Sequence, residues 1–177
     1  MMREVVIVDG IRTAVGRKGG SLANYRADDL AAVVLEGLIE RTNVNKSDVE
    51  DIILGCVTQV NEQGGNIART AALIAGFPTK VPGVTIDRQC GSSLQAIHFA
   101  AQAIASGDMD VVIAGGVESM TRSPMFSNIG NTKPSKLLQE KYEIVNQGIS
   151  SEKIAEKWGY TRQMLDSFSL ASHKKAL

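Results

Sequence analysis

The chain of 177 residues holds only two cysteines, Cys56 and Cys90, and two histidines, His98 and His173. Two thiols give no disulfide framework and fit a reducing compartment. No His or Cys pair stands at a metal-ligand spacing, which argues against zinc. There is no excess charge of either sign: Lys plus Arg and Asp plus Glu both number 19, so no global field draws the chain to nucleic acid or an anionic membrane. No apolar run reaches the roughly 18 residues of a membrane span. Met1-Met2-Arg3-Glu4 leads straight into Val5-Val6-Ile7-Val8 without a signal-peptide pattern. These absences predict a cytoplasmic protein with no metal, nucleic-acid or membrane partner.

What is present is strand alternating with helix, the pattern of a layered α/β domain. The first strand is expected over 4–9. A helix is expected from Asp28 to Arg41, with Asp28 as N-cap and Leu30, Val33, Val34 and Leu38 as its buried face. Strand Ile52–Val57 follows, then a helix from Ile67 to Ala75 closed by Gly76. The nearly all-apolar run Asp110–Gly115 reads as a strand covered on both faces. Beyond Ser119 the pattern becomes irregular, with Pro124 and Pro134 marking loops, and helical patches resume at 151–158 and from Thr161 onward. The expected division is therefore 1–119 and 120–177.

Cys90 stands between an extended segment, 81–86, and a helix whose Leu94, Ile97, Ala101 and Ile104 recur at helical spacing. Unpaired N–H groups and the positive end of the helix dipole at such a start favour an anionic thiol, the nucleophilic form. Gly91, Ser92 and Ser93 beside it are small. A buried structural cysteine is the competing reading of the same pattern, since free Cys is among the most buried residue types. Eight residues along a helix is about 12 Å of rise and about 80° of rotation, so His98 does not reach the Cys90 sulfur. Asp87 and Arg88 either tune the thiol or serve as a cap or salt bridge. Cys56, inside an apolar strand, reads as packing, and His173 as a structural residue of the last helix. The segment Gly16–Ser21 lacks both the dinucleotide fingerprint and the phosphate-loop order and reads as a turn.

The run from Asp87 to Ala96 resembles the nucleophile motif of the thiolases, in which Cys-x-Ser-Gly follows a short strand. Ile11-Arg12-Thr13-Ala14-Val15-Gly16 resembles the family's Arg-Thr-Pro-x-Gly segment, and Ala114-Gly115-Gly116-Val117-Glu118-Ser119-Met120 its Ala-Gly-Gly-x-Glu-Ser-Met turn. Gly55-Cys56-Val57 with Gln63, Asn66, Ala68 and Arg69, and Ser172-His173-Lys174-Lys175-Ala176, also match in order. Ala14 departs from the family's proline and Ser93 from its glycine, the latter where it would crowd an acyl pocket. The Glu-Ser-Met and Ser-His-Lys-Lys-Ala motifs favour thiolase over the related ketosynthases.

The resemblance implies an αβα-layered unit with a mixed five-stranded sheet over 1–119, followed by part of a mainly helical loop domain that covers coenzyme A. It implies acyl transfer between CoA thioesters through a Cys90 acyl-enzyme, with acyl-CoA and CoA as substrates, no cofactor, and a homodimer or tetramer. Asn146-Gln147-Gly148-Ile149-Ser150-Ser151-Glu152 resembles a family substrate-binding segment, which makes Gln147 and Gly148 candidate substrate contacts. Gln63, Asn66 and Arg69 would approach the dimer partner's active site. Thiolases are roughly twice this long and carry their catalytic histidine and second reactive cysteine in a carboxy-terminal half. The chain is thus expected to be an amino-terminal part with an incomplete catalytic set, inactive alone, with a non-catalytic remnant or dimerisation module as the alternative.

Overall fold

The computed structural model describes residues 3–177. Three strands, β1 (Asp51–Gly55), β2 (Gly83–Ile86) and β3 (Val112–Gly116), form a parallel sheet in the order β2-β1-β3. Ile52 pairs with Gly83 and Ile113, and Gly55 with Ile86 and Gly116. Parallel neighbours need long crossovers, and helices supply them. α2 (Ile67–Ile74) links β1 to β2, and α3 (Ser92–Ser106) links β2 to β3.

Because side chains alternate along a strand, apolar strands can serve two helical layers. Ile52 and Leu54 join Ala31, Ala32 and Leu35 of α1 (Ala27–Thr42) and Ala68, Ala71 and Ala72 of α2 in one cluster. Ile53 instead meets Ala96 and Ala100 of α3, with Val112 and Ala114 beside it. The result is an αβα sandwich.

Several details differ from expectation. The described residues form three parallel strands where the resemblance implies a mixed sheet of five. Residues 3–17 adopt no regular secondary structure. A strand is defined by its pairing, and Ile7 and Val8 are 82 % and 77 % exposed with no neighbouring strand. β3 packs on both faces, Ile113 toward α1 and α2 and Val112 and Ala114 toward α3, but is only half-buried because it lies at one edge of the sheet. On α1 the buried face is Ala27, Asp28, Ala31, Ala32 and Leu35, whereas Val33 is exposed and Leu30, Val34 and Leu38 are half-buried. Alanines let α1 approach α2 closely, so the larger aliphatics are turned away from that contact. Nor is Asp28 the N-cap. Arg26 holds that position, and the buried Asp28 carboxylate accepts two hydrogen bonds from its guanidinium, at 2.9 and 2.7 Å.

α2 begins and ends on residues suited to left-handed backbone. Asn66 has φ +69°, its Oδ1 accepts from the Arg69 N–H at 3.2 Å, and Gly76 closes the turn at φ +70°. The Asn66 amide also donates to the Gly83 carbonyl at 2.7 Å, which ties the start of α2 to β2.

Two compact units emerge, the first ending at Gly130 and the second running Asn131–Leu177. Residues just beyond Ser119 belong to the first. Ser123 is fully buried, Arg122 pairs with Glu62, and the Asn128 amide donates to the Val57 carbonyl at 3.3 Å. The second unit holds three helices, α4 (Lys136–Gln139), α5 (Gln147–Trp158) and α6 (Arg162–Ala176). α5 starts ahead of the expected Ser151 because Asn146 caps it, its Oδ1 accepting from the Gly148 N–H at 2.9 Å.

Two outcomes follow from these contacts. Asn66→Ala loses the cap and places a residue that tolerates left-handed backbone less well than Asn, so urea titration should show a loss of about 1–2 kcal/mol, with Asn66→Gly less affected. The Arg122 guanidinium holds the Glu62 carboxyl below its ordinary range. Its stabilisation is therefore full above the unfolded-state carboxylate pKa and is lost as pH falls through the lower folded-state value. Glu62→Gln should flatten the acid side of the stability profile, as read from melting temperature against pH.

Candidate active site

The chain reverses direction sharply between β2 and α3, and Cys90 is exposed on that reversal. Gln89, immediately before it, has φ +47°. Left-handed backbone at a residue other than Gly, Asn or Asp costs about 1–2 kcal/mol and persists only where neighbours hold it. The neighbours here are specific. The Gln89 N–H donates to Asp87 Oδ1 at 2.7 Å, and its carbonyl accepts from Ser92 Oγ at 2.6 Å and the Ser92 N–H at 3.1 Å. The Gly91 N–H donates to the Arg88 carbonyl at 3.0 Å. Asp87 thus acts as a local cap, one of the two roles the sequence left open.

Beneath this turn the sheet presents two register-paired glycines, Gly55 at the end of β1 and Gly116 at the end of β3. The first turn of α3 rests on them. A Cβ on Gly55 would stand 2.5 Å from the Ser92 carbonyl carbon and the Ser93 nitrogen, and one on Gly116 would stand 2.0 Å from Ser93 Oγ. Both strands end on the face that β1 and β3 turn toward α3, so side chains there would lift the helix off the sheet. Ser93, where the family usually has glycine, sets its hydroxyl over the bare Gly116.

The loops that leave β1 and β3 are joined by one pair, the half-buried Glu118 and the buried Gln63. Glu118 accepts from the Val57 N–H at 2.9 Å and from Gln63 Nε2 at 2.7 Å. Gln63 is fully buried; its Nε2 also donates to the Thr58 carbonyl at 2.7 Å, and its Oε1 accepts from the Ser119 N–H at 2.6 Å. Both N–H donors of that amide and one lone pair of its oxygen are used within this unit. Gln63 is therefore spent on holding these loops together. Asn66 is likewise engaged in capping α2, and the Arg69 guanidinium donates to the carbonyls of Thr79 and Val81.

Cys56 is 1 % exposed, and burial, aided by Glu118 and Asp87, pushes its thiol up to about 12. At neutral pH it is protonated and enclosed, the state of a packing residue. His98 lies exposed on α3 and His173 exposed on α6. Gln147 and Gly148 occupy the first turn of α5 in the second unit, where the Gly148 N–H is taken by its cap. Among the described residues no three His, Cys, Asp or Glu side chains gather as metal ligands, and no helix is long and apolar enough to cross a membrane.

A cavity of about 690 Å³ lies between residues 9–18, α1 and the turn after β3, walled by Leu30, Val34 and Leu38 among others. Cys90 is not part of its wall. Cys90 lies instead on the open turn at the carboxyl ends of the parallel strands, where α/β sheets place their ligands. Sequence reading did not anticipate the glycine seat, the Glu118–Gln63 link or the Ser92 hydroxyl. A glycine closing the apolar β1 was the available signal for the first, since glycine in a strand marks close backbone approach.

The family model "Thiolase, N-terminal domain" matches residues 5–177. A steroid 3-ketoacyl-CoA thiolase of Mycobacterium tuberculosis is 46% identical over 187 residues, covering 99% of this chain and 46% of the relative. A 3-ketoacyl-CoA thiolase of Idiomarina loihiensis is 47% identical over 177 residues, covering 99% of this chain and 46% of the relative. The crystal structure of the Bacillus anthracis acetyl-CoA acetyltransferase superposes with TM-score 0.81 at 36% identity, over 98% of this chain and 46% of that one. The chain spans about half the length of the curated relatives it matches.

The seat makes a two-part forecast. Gly55→Ala drives a methyl into α3 backbone and should cost about 1–3 kcal/mol in urea titration, with no relief from Ser93→Gly. Gly116→Ala meets chiefly the Ser93 hydroxyl, so Ser93→Gly should recover part of its loss, a coupling visible in a double-mutant cycle.

Proposed function

Because the chain belongs to the thiolase family, we propose that it carries the nucleophile-bearing part of an enzyme that transfers acyl groups between CoA thioesters, with Cys90 as the acyl acceptor. The observation that carries this reading is the exposure of Cys90 on a held turn at the strands' carboxyl ends, set against the buried, protonated Cys56.

In the cleaving direction, the Cys90 thiolate attacks the C3 carbonyl carbon of a 3-ketoacyl-CoA. The C2–C3 bond then breaks, and its electron pair leaves on C2 as the enolate of acetyl-CoA, which takes a proton. CoA thiolate next attacks the Cys90 thioester, releasing a shortened acyl-CoA and the free thiolate. Condensation is the reverse. Exchange between thioesters is nearly balanced in energy, which suits a covalent intermediate. Cys90's own N–H, one residue before the N-cap of α3, is assigned to the oxyanion of the tetrahedral intermediate, where the helix dipole assists.

Gln147 and Gly148, at the start of α5, are proposed to contact the CoA moiety, and the assembly to be a homodimer or tetramer. The histidine that activates the thiol and the group that moves the C2 proton are assigned to the carboxy-terminal half that the family carries.

Incubation with acetyl-CoA followed by peptide mass spectrometry should place the acetyl group on Cys90 and leave Cys56 bare; acetylation of Cys56 instead would remove the assignment. The 177-residue chain alone should cleave acetoacetyl-CoA no faster than background, since positioned acid–base groups contribute about 10² to 10⁴-fold. Thiolysis at an enzymatic rate, followed by loss of acetoacetyl-CoA absorbance, would show the catalytic set to be complete.

A further inference from the structure

We propose that Ser92 is a positioning residue for Cys90: its hydroxyl, anchored to the sheet, clamps Gln89 in left-handed backbone and thereby aims the neighbouring thiol. The inference rests on the reading of Cys90 as acyl acceptor and extends it to a residue that touches neither substrate nor sulfur.

Both side-chain bonds of Ser92 run backward into the turn. Its Oγ accepts from the Arg88 N–H at 2.8 Å and donates to the Gln89 carbonyl at 2.6 Å. A serine serving its own helix would occupy the N-cap and accept from N–H groups one turn ahead. Here Gly91 holds that place with no side-chain bond, and Ser92 is already the first residue of α3. Ser92 thus contributes nothing to capping α3 and closes the loop on the residues that flank Cys90.

The clamp needs a fixed base, and the fold supplies one. Ser92 is 4 % exposed, and Gly55 lies so close that any Cβ there would stand 2.7 Å from the Ser92 Cβ. Gln89 is held at its other end by the Asp87 carboxylate, 2.7 Å from its N–H. An exposed, non-glycine residue at φ +47° is therefore fastened on both sides. Released, Gln89 would relax toward negative φ and swing Cys90 with it.

The test uses the full-length protein and compares wild type, Ser92→Ala, Gln89→Gly and the double variant. Rapid-quench mass spectrometry reads the rate of Cys90 acylation by acetoacetyl-CoA, and amide hydrogen exchange reads residues 88–92. Ser92→Ala should slow acylation about tenfold to a hundredfold, the scale of a misplaced reacting group, and raise exchange across the turn. Gln89→Gly alone should stay within about twofold of wild type. In the double variant it should restore most of the lost rate, because glycine adopts positive φ unaided. That rescue would not occur if the serine only stabilised the fold.

A Ser92→Ala rate within about twofold of wild type, or a deficit that Gln89→Gly leaves untouched, overturns the proposal. Should Ser92→Ala fail to fold, Asp87→Ala removes the opposite, exposed arm of the clamp and is judged by the same loss and the same rescue. If wild-type Cys90 takes no acyl group, the thiolase reading fails by itself. The clamp is then decided by whether exchange across the turn rises in Ser92→Ala or stays unchanged.

Discussion

The candidate site depends on a close approach that tolerates no side chain. The first turn of α3 lies directly on the ends of β1 and β3, and the two residues beneath it, Gly55 and Gly116, are paired in register. Sheet register, helix placement and the conformation of the Cys90 turn are therefore one constraint. A one-residue slip of β1 would turn Leu54 toward α3 and unseat the helix. Tight packing of this kind transmits displacement, so the thiol's position is set by backbone several residues away.

A second linkage holds the loops around that seat. Glu118, just past β3, accepts from the loop after β1, and Gln63 returns the connection through Thr58 and Ser119. Low local dielectric makes such a network strong when every member is satisfied and costly when one is removed. Among the described residues no buried side-chain polar atom lacks a partner. Cys56 sits against this network, and its enclosure separates the chain's two thiols into an inert one and an accessible one.

Much of this was legible in the sequence, and the limits have physical causes. The alternation of apolar strands and helices, the closure of α2 at Gly76 and the strand–turn–helix at Cys90 are local patterns and read directly. The buried face of α1 did not. Hydrophobicity pointed to Val33 and Val34, but helix–helix approach favoured Ala31 and Ala32, a choice that depends on the partner helix rather than on α1. Strand pairing is likewise a property of neighbours, which is why the apolar run Val5–Val8 reads as a strand and stands unpaired here. The burial of Gln63 could not be read from its loop position because its partner, Glu118, is distant in the chain. The Ser92 hydroxyl stayed invisible for a similar reason: its sequence position is that of an ordinary helix-start serine, and only its direction reveals a different task.

The glycine seat also bears on the order of folding events. Its two halves come from strands joined only through two crossovers, so it is a non-local structure, and contacts of high sequence separation carry a larger loop-closure cost than local ones. Until β1 and β3 meet, Gln89 has no reason to leave ordinary backbone, and Cys90 is one more flexible thiol. The geometry around the sulfur therefore depends on contacts that only the assembled sheet supplies. An emerging or partly unfolded chain holds the same cysteine without the same conformation, so the acquisition of that conformation marks the completion of the sheet.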